Sequence, residues 1–560
     1  MPKSLLKALL VLCSVIGSYG TDPAAKKPSK PPGLPLVDLG YELHQPTFNE
    51  SGQYYNFSNV RYAAPPLGNL RFAPPTSPNL KTKLFNDGSK DVSCIQAVPW
   101  WTNYTNAWLT QGTDAFNISA GYQVPNITTL PRQPPAQQED CLFLDIMVPK
   151  AIYDNANRCC GAPVMVWIHG GGYTLGSKTT FSPSAAGLIA TSQSNGSPGV
   201  IWVAMNYRLG VYGFLSGPTF KSQGGTMNAG LLDQRFALGW IQKNIKKFGG
   251  DPKRVTVMGE SAGGGSVMHQ VTAYGGKKGK VPFQGAIVQS PGFQPMPSAK
   301  GQEAVYKTFL TKANVKTLQE ARRLSAEKLQ FVNYKIIGES SPYGTFTFNP
   351  VLDGDFAPAL PGQLLLGGKY DKSLHIMAGH NIAEGISFMD PFAQTDDSFA
   401  KNLRIYFPTI SDSSVTYIST QLYPPIYDGS YGYYSPTFRS DAFVTECFFT
   451  CNTNWLAHAF ANKTYNYIFS VWPSLHGQDI AYTYANGPSE SIQNLTLATI
   501  MQGYFTNFAK TGNPNGPGVP FFPTYGKGSV SQNLNLTSIG QMRDNAANVR
   551  CDWWQKGLVY

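Results

Sequence analysis

Charge is sparse in this sequence. Asp, Glu, Lys and Arg make up 14% of its 560 residues, against 42% hydrophobic residues, which excludes a chain disordered over most of its length. Nowhere does it hold the roughly 20 uninterrupted apolar residues that a membrane-spanning helix needs, so no stable membrane anchor is expected. It lacks an arginine-rich tract and any nucleic-acid-binding module. The formal excess of +11 is dispersed, with small clusters only at Lys243, Lys246, Lys247 and at Lys277, Lys278, Lys280, which read as solvated surface. No internal repeat is present. Cysteine is scarce, eight in all. If Cys13 leaves with a leader the count is odd, which requires a free thiol or an intermolecular bridge. Cys94 and Cys141 bracket a loop and are the best-placed pair; Cys159, Cys160, Cys447, Cys451 and Cys551 cannot be paired from sequence.

What is present begins with a leader. Residues 1–20 carry Lys3 and Lys7, an apolar run from Leu9 to Ile16, and the small residues Gly17, Ser18 and Gly20, the pattern of a cleaved secretory signal. Residues 21–35, rich in Pro and Lys, read as a flexible lead-in. Asn-x-Ser/Thr triplets start at Asn49, Asn56, Asn103, Asn117, Asn126, Asn195, Asn462, Asn494 and Asn535, which suits a secreted, glycosylated protein.

From about residue 140, short apolar runs alternate with amphipathic stretches, the pattern of parallel strands joined by crossover helices. Strands are expected at Leu142 to Val148, Val164 to Ile168, Val200 to Asn206, Val255 to Met258, Ala286 to Gln289, His375 to Gly379 and Tyr467 to Val471. Ala229 to Phe248 reads as a helix stopped by Gly249-Gly250-Asp251-Pro252. Helices are also expected over Glu303 to Ala313 and Leu318 to Phe331, and 392–460 reads as an insertion over the sheet's carboxyl edge. A three-layer α/β fold follows.

The strand at Val255 to Met258 runs directly into Gly259-Glu260-Ser261-Ala262-Gly263 and then more small residues. Gly-x-Ser-x-Gly between a strand and a helix makes a strained turn that exposes a serine hydroxyl, and its glycines are required because side chains there would collide with neighbouring elements. Gly338-Glu339-Ser340 starts in the same way but lacks the closing glycine, and reads as a loop. A second strand ends in His169-Gly170-Gly171-Gly172-Tyr173, where backbone amides can approach a ligand without interference from side chains. The amides of Gly171, Gly172 and Ala262 are the candidate oxyanion hole, each donor contributing roughly 3 to 4 kcal/mol to a transition state that develops negative charge.

A serine hydroxyl needs a base, and the base needs a carboxylate that fixes its tautomer. Of the histidines after Ser261, His269 lies within the following helix, His375 inside a strand and His458 in a helical pattern; His380 ends a strand, and His476 sits in a loop after one. His476 is the chosen base, because catalytic residues favour such loops. For the acid, Glu384 and Asp353 both stand in loops near strands, and pattern alone splits them evenly.

Together with Arg61-Tyr62-Ala63-Ala64-Pro65-Pro66-Leu67-Gly68, Glu139-Asp140-Cys141-Leu142, Asn206-Tyr207-Arg208-Leu209-Gly210 and Gly249-Gly250-Asp251-Pro252, these segments resemble the type-B carboxylesterases, a family of fungal secreted lipases, animal carboxylesterases and cholinesterases. The likeness runs from about residue 36 to 555 and implies one α/β-hydrolase domain over 36–555, with a large, mostly parallel central sheet. It further implies a secreted serine ester hydrolase that forms an acyl-enzyme, acts on a small-molecule or lipid ester, and uses no metal or organic cofactor. Position by position it makes Glu384 the acid, through Gly379-His380-Asn381-Ile382-Ala383-Glu384-Gly385, and supports His476 and the Cys94–Cys141 bridge. Asp479 replaces the family's more usual Glu. The Cys94–Cys141 loop is longer than in cholinesterases and carries Trp100, Trp101 and Trp108, which suit a lid, a substrate surface or plain packing, and a choline-binding tryptophan does not carry over. Some family lipases use this loop as a movable lid, which leaves a lipid interface open. A catalytically inactive interaction protein, or a transacylase or lactonase, is the alternative outcome on this fold.

Overall fold

The computed structural model describes residues 33–78, 84–111, 121–156, 161–180, 184–294, 296 and 298–560. The expected leader, most of the lead-in, Cys159, Cys160 and Asn117 lie outside them.

An 11-stranded sheet organises the chain. In chain order its strands are β1 (Thr47–Asn49), β2 (Tyr54–Arg61), β3 (Phe143–Pro149), β4 (Ala162–Ile168), β5 (Ile201–Met205), β6 (Gly250–Glu260), β7 (Gly285–Gln289), β8 (His375–Asn381), β9 (Tyr465–Phe469), β10 (Val530–Leu534) and β11 (Gly540–Arg543). In space they lie in the order β11-β10-β9-β8-β7-β6-β4-β5-β3-β2-β1. Neighbours from β5 across to β10 are parallel, and the strands at both margins are antiparallel.

The central strands are apolar throughout because both faces of the sheet are covered. Along β4, Val164, Val166 and Ile168 join the core on one face while Met165 and Trp167 join that on the other, as the two-residue period of a strand dictates. Helix α1 (Ala229–Asn244) packs Leu231, Leu238 and Ile241 into the first core, and the helix Leu495–Thr511 packs Leu497, Met501 and Phe505 into the second. Chain order reverses at β4, which lies between β5 and β6, so the loops leaving β4 and β6 part and open a crevice at their carboxyl ends. Helix α2 (Ala262–Val271) begins there.

Several expectations need correction. The helix expected over Leu318 to Phe331 is two, Leu318–Arg322 and Ala326–Ser340, because Ser325 caps the second by accepting from Lys328 N–H. Gly338, Glu339 and Ser340 form the last turn of that second helix, not a loop; Glu339 pairs with Lys312 at 2.8 Å and Lys335 at 2.9 Å. The helix from Ala229 ends at Asn244 with a 3-10 turn at Ile245–Phe248, and Gly250, Asp251 and Pro252 already belong to β6. Strand β3 pairs antiparallel with β5, although the alternation suggested a parallel strand.

Two disulfides form among the described residues, Cys94–Cys141 and Cys451–Cys551, and Cys447 is free. Trp100, Trp101 and Trp108 are buried, and the indoles of the first two donate to Ser341 O at 2.7 Å and Thr345 O at 2.8 Å. They are packed side chains here. No described helix is long and apolar enough to cross a membrane.

Candidate active site

Ser261 stands between β6 and α2 at φ 58° and ψ −126°, a region that residues with a side chain rarely enter. Its N–H donates to Gln289 O at 3.2 Å, and its carbonyl accepts from Gly265 N–H at 2.8 Å and Gly292 N–H at 2.9 Å. Glycine makes the bend feasible. A Cβ at Gly263 would lie 2.0 Å from Ile168 O, and one at Gly259 would lie 2.6 Å from the Gly263 carbonyl.

Past β4 the chain turns through Gly171 (φ 101°) and Gly172 (φ 57°). A Cβ on Gly171 would come within 2.2 Å of Leu175 O, and one on Gly172 within 2.3 Å of the Phe346 ring. Among the described residues, the amides of Gly171, Gly172 and Ala262 donate to no protein acceptor. A narrow cleft, part of it open to solvent, is lined by Gly172, Ser261 and Ala262 together with Phe346, Phe388 and Phe449.

Glu384 follows β8 and His476 follows β9, strands that are parallel neighbours. The two loops are laced together, Ala383 N–H donating to Ser474 O at 3.0 Å and Ile382 N–H to Ser474 Oγ at 2.9 Å. His476 Nδ1 and Glu384 Oε2 are 2.5 Å apart. The other carboxylate oxygen accepts from Ser290 Oγ at 2.7 Å and Asn381 N–H at 2.6 Å. Phe449 and Phe388 pack on the imidazole, ring centroids 4.5 Å and 4.9 Å away. His476 Nε2 has no hydrogen-bond partner, Ser261 Oγ included, and lies 3.3 Å from Glu260 Oε1. Hydroxyl-to-imidazole bonds of this kind are commonly unformed before substrate binds.

Burial raises the Glu384 carboxyl, but the adjacent His476 and the hydrogen bonds it accepts outweigh that and hold it below the ordinary value. Burial also opposes a charged imidazole at His476, yet the flanking Glu260 and Glu384 carboxyls push it up to about 9. Glu260 itself is pushed up to about 8, mainly by burial, against the pull of His476. The site can thus hold one firm carboxylate, an imidazole and a second carboxyl that readily carries a proton.

The other candidates lie elsewhere. Asp353 caps a turn, its carboxylate accepting from Asn228 Nδ2 at 2.7 Å, Asp355 N–H at 2.8 Å and Ala357 N–H at 2.9 Å, and it makes no bond to His476. His380 pairs with Asp544 at 3.3 Å, His269 is buried against Phe293, and His375 and His458 are exposed. Among the described residues no group of three or more His, Cys, Asp or Glu could hold a metal ion.

Sequence reasoning missed the supports. Ser290 stands outside the motifs above, yet its hydroxyl donates to Glu384 Oε1 at 2.7 Å and orients it. Asp479 is buried and accepts from Tyr467 Oη at 2.7 Å, Gln289 Nε2 at 3.0 Å and Asn381 Nδ2 at 3.3 Å, which ties together the ends of β7, β8 and β9. Its place three residues after His476 was the only available signal.

A mostly parallel sheet with a serine in a strained bend after a central strand defines the α/β-hydrolase fold. The crystal structure of Aspergillus niger EstA superposes with a TM-score of 0.77 at 25% identity, covering 93% of this chain and 98% of its own. Residues 43–554 match the model of the carboxylesterase family, and the chain belongs to that family. Carboxylesterase patB of Aspergillus clavatus is 41% identical over 540 residues, spanning 94% of this chain and 96% of the relative. Carboxylesterase patB of Penicillium expansum is 41% identical over 549 residues, spanning 93% and 96%. The protein is a carboxylic ester hydrolase.

Proposed function

We propose that this hydrolase is secreted and works through an acyl-enzyme on Ser261. Ser261 Oγ attacks the ester carbonyl while His476 Nε2 takes its proton, and Glu384 holds the imidazole through Nδ1. The amides of Gly171, Gly172 and Ala262 donate to the developing oxyanion. His476 then protonates the departing alcohol, and water, deprotonated by the same imidazole, releases the acid. The observation that carries this reading is the 2.5 Å contact between His476 and Glu384, which leaves Nε2 without a hydrogen bond, 3.3 Å from the carboxyl of Glu260, the residue before Ser261 in its strained bend.

The test is labelling with a fluorophosphonate. Wild type should be labelled and Ser261→Ala should not; folded wild type that resists the probe favours a non-catalytic interaction protein. Two disulfides and the exposed sequons at Asn49, Asn103, Asn126 and Asn195 support the secretory route. A mobility shift after treatment with an N-glycosidase checks this. Turnover of an emulsified ester set against a dissolved one decides whether a lipid interface is used.

A further inference from the structure

Beside the cleft at Ser261 lies a second, narrow chamber, part of it open to solvent, and Phe293 and Phe448 wall both spaces. Trp455, Trp554, Cys447 and Asn452 are among its other walls. Both indoles are satisfied, Trp455 Nε1 donating to Cys551 O at 2.9 Å and Trp554 Nε1 to Tyr423 Oη at 3.0 Å. Asn452 is different. It is 2% exposed, its Nδ2 donates to Pro291 O at 2.8 Å and Phe448 O at 3.1 Å, and its Oδ1 has no partner. Flipping the amide gives no relief, since the oxygen would then face two carbonyl oxygens. A buried acceptor without a donor is costly, and a ligand that supplies one is favoured.

The departing alcohol must receive a proton from His476, so that arm of the substrate points toward the imidazole. The cleft's walls include Ser261, Gly172 and Ala262, and its walls Phe293 and Phe448 continue into the chamber. Asn452 is also joined to the reacting centre through the backbone: it holds Pro291 O, and the next residue, Gly292, donates to Ser261 O at 2.9 Å.

We infer that the chamber takes the far end of the acyl chain and that Asn452 Oδ1 accepts a hydrogen bond from a hydroxyl or amide N–H carried there. The substrates are then esters of acids with a donor group remote from the carbonyl. This rests on the acyl-enzyme reading of Ser261.

The experiment compares p-nitrophenyl esters from butanoate to decanoate, each with and without a terminal hydroxyl, with p-nitrophenyl acetate as reference. At one or more chain lengths wild type should favour the hydroxylated ester by about tenfold in kcat/KM, as one hydrogen bond to a buried orphan acceptor provides. In Asn452→Ala that ratio should fall to near one. The wild-type ratio stands whether or not the variant folds, and Cys447→Met, which intrudes from another wall, should move the preferred chain length downward relative to acetate. Equal rates within every pair in wild type, with acetate still turned over, overturn the role of Asn452 and leave Ser261 standing. Failure to hydrolyse any ester, acetate included, removes both.

Discussion

Glu260 precedes Ser261 in the chain and faces the imidazole in space, its Oε1 3.3 Å from His476 Nε2. A carboxylate there favours the imidazolium, whereas a general base must be neutral, so activity should rise with pH along a limb above the ordinary histidine value of about 6.5. In Glu260→Gln the charge that stabilises imidazolium is gone, and the limb of kcat/KM against pH should move down by about one unit or more. A limb that stays in place or moves up would show that Glu260 does not set the protonation of His476. The acid is checked by a pair of variants. Glu384→Gln should lower kcat by about 10³ to 10⁴-fold, since the tautomer is lost, whereas Asp353→Asn should mainly reduce stability, read from a urea midpoint, because that carboxylate caps a turn. The reverse pattern would reassign the acid. Ser261 and the glycines were legible in sequence because backbone geometry admits almost nothing else at those positions. Ser290 and Asp479 were not, because each acts only once strands distant in the chain stand side by side.

At the scale of elements, glycine separates two physical cases. Gly263 opens α2 against β4, and a Cβ would sit 2.0 Å from Ile168 O, a backbone atom that cannot yield. Gly263→Ala should destabilise by about 3 kcal/mol or more and abolish turnover. Gly239, inside α1, has nothing within 4 Å of an added Cβ, so Gly239→Ala should stabilise by about 0.5 to 1 kcal/mol with activity intact. Urea unfolding of both variants measures the contrast, and similar stability for the two would refute the steric account of the bend. The same reasoning explains which elements could be read in advance. Strands β4 to β8 show as apolar runs because helices cover both faces, but β1 and β11 hold no buried residue, β2 and β10 mix buried with half-buried ones, and all four lie toward the margins. The break at Ser325 escaped notice because the apolar pattern continues on both sides of it, and only the cap marks the new start.

Across the whole molecule, two covalent ties hold different parts to the sheet. Cys94–Cys141 spans 47 residues and secures the loop that carries Trp100 and Trp101, and Cys451–Cys551 spans 100 and fastens the C-terminal helix Val549–Gln555 beside the chamber walls Trp455 and Trp554. Constraint of the unfolded chain favours the longer loop, but only weakly: the two closures differ by about 0.7 kcal/mol. Replacing each pair by alanine should therefore cost similar stability, about 4 to 5 kcal/mol apiece, if chain entropy is the whole effect. Packing argues for a further difference in function. Without Cys451–Cys551 the helix that carries Trp554 loses its covalent tie, so turnover of long acyl esters should fall more than turnover of acetate; without Cys94–Cys141 the two should fall together. Urea midpoints and kcat/KM for acetate and decanoate esters of both double variants test this. An unchanged ratio in the Cys451→Ala, Cys551→Ala protein would mean that the C-terminal helix keeps its place through its non-covalent ties, among them Arg550 Nε donating to Glu446 Oε2 at 2.7 Å and Trp554 Nε1 to Tyr423 Oη at 3.0 Å.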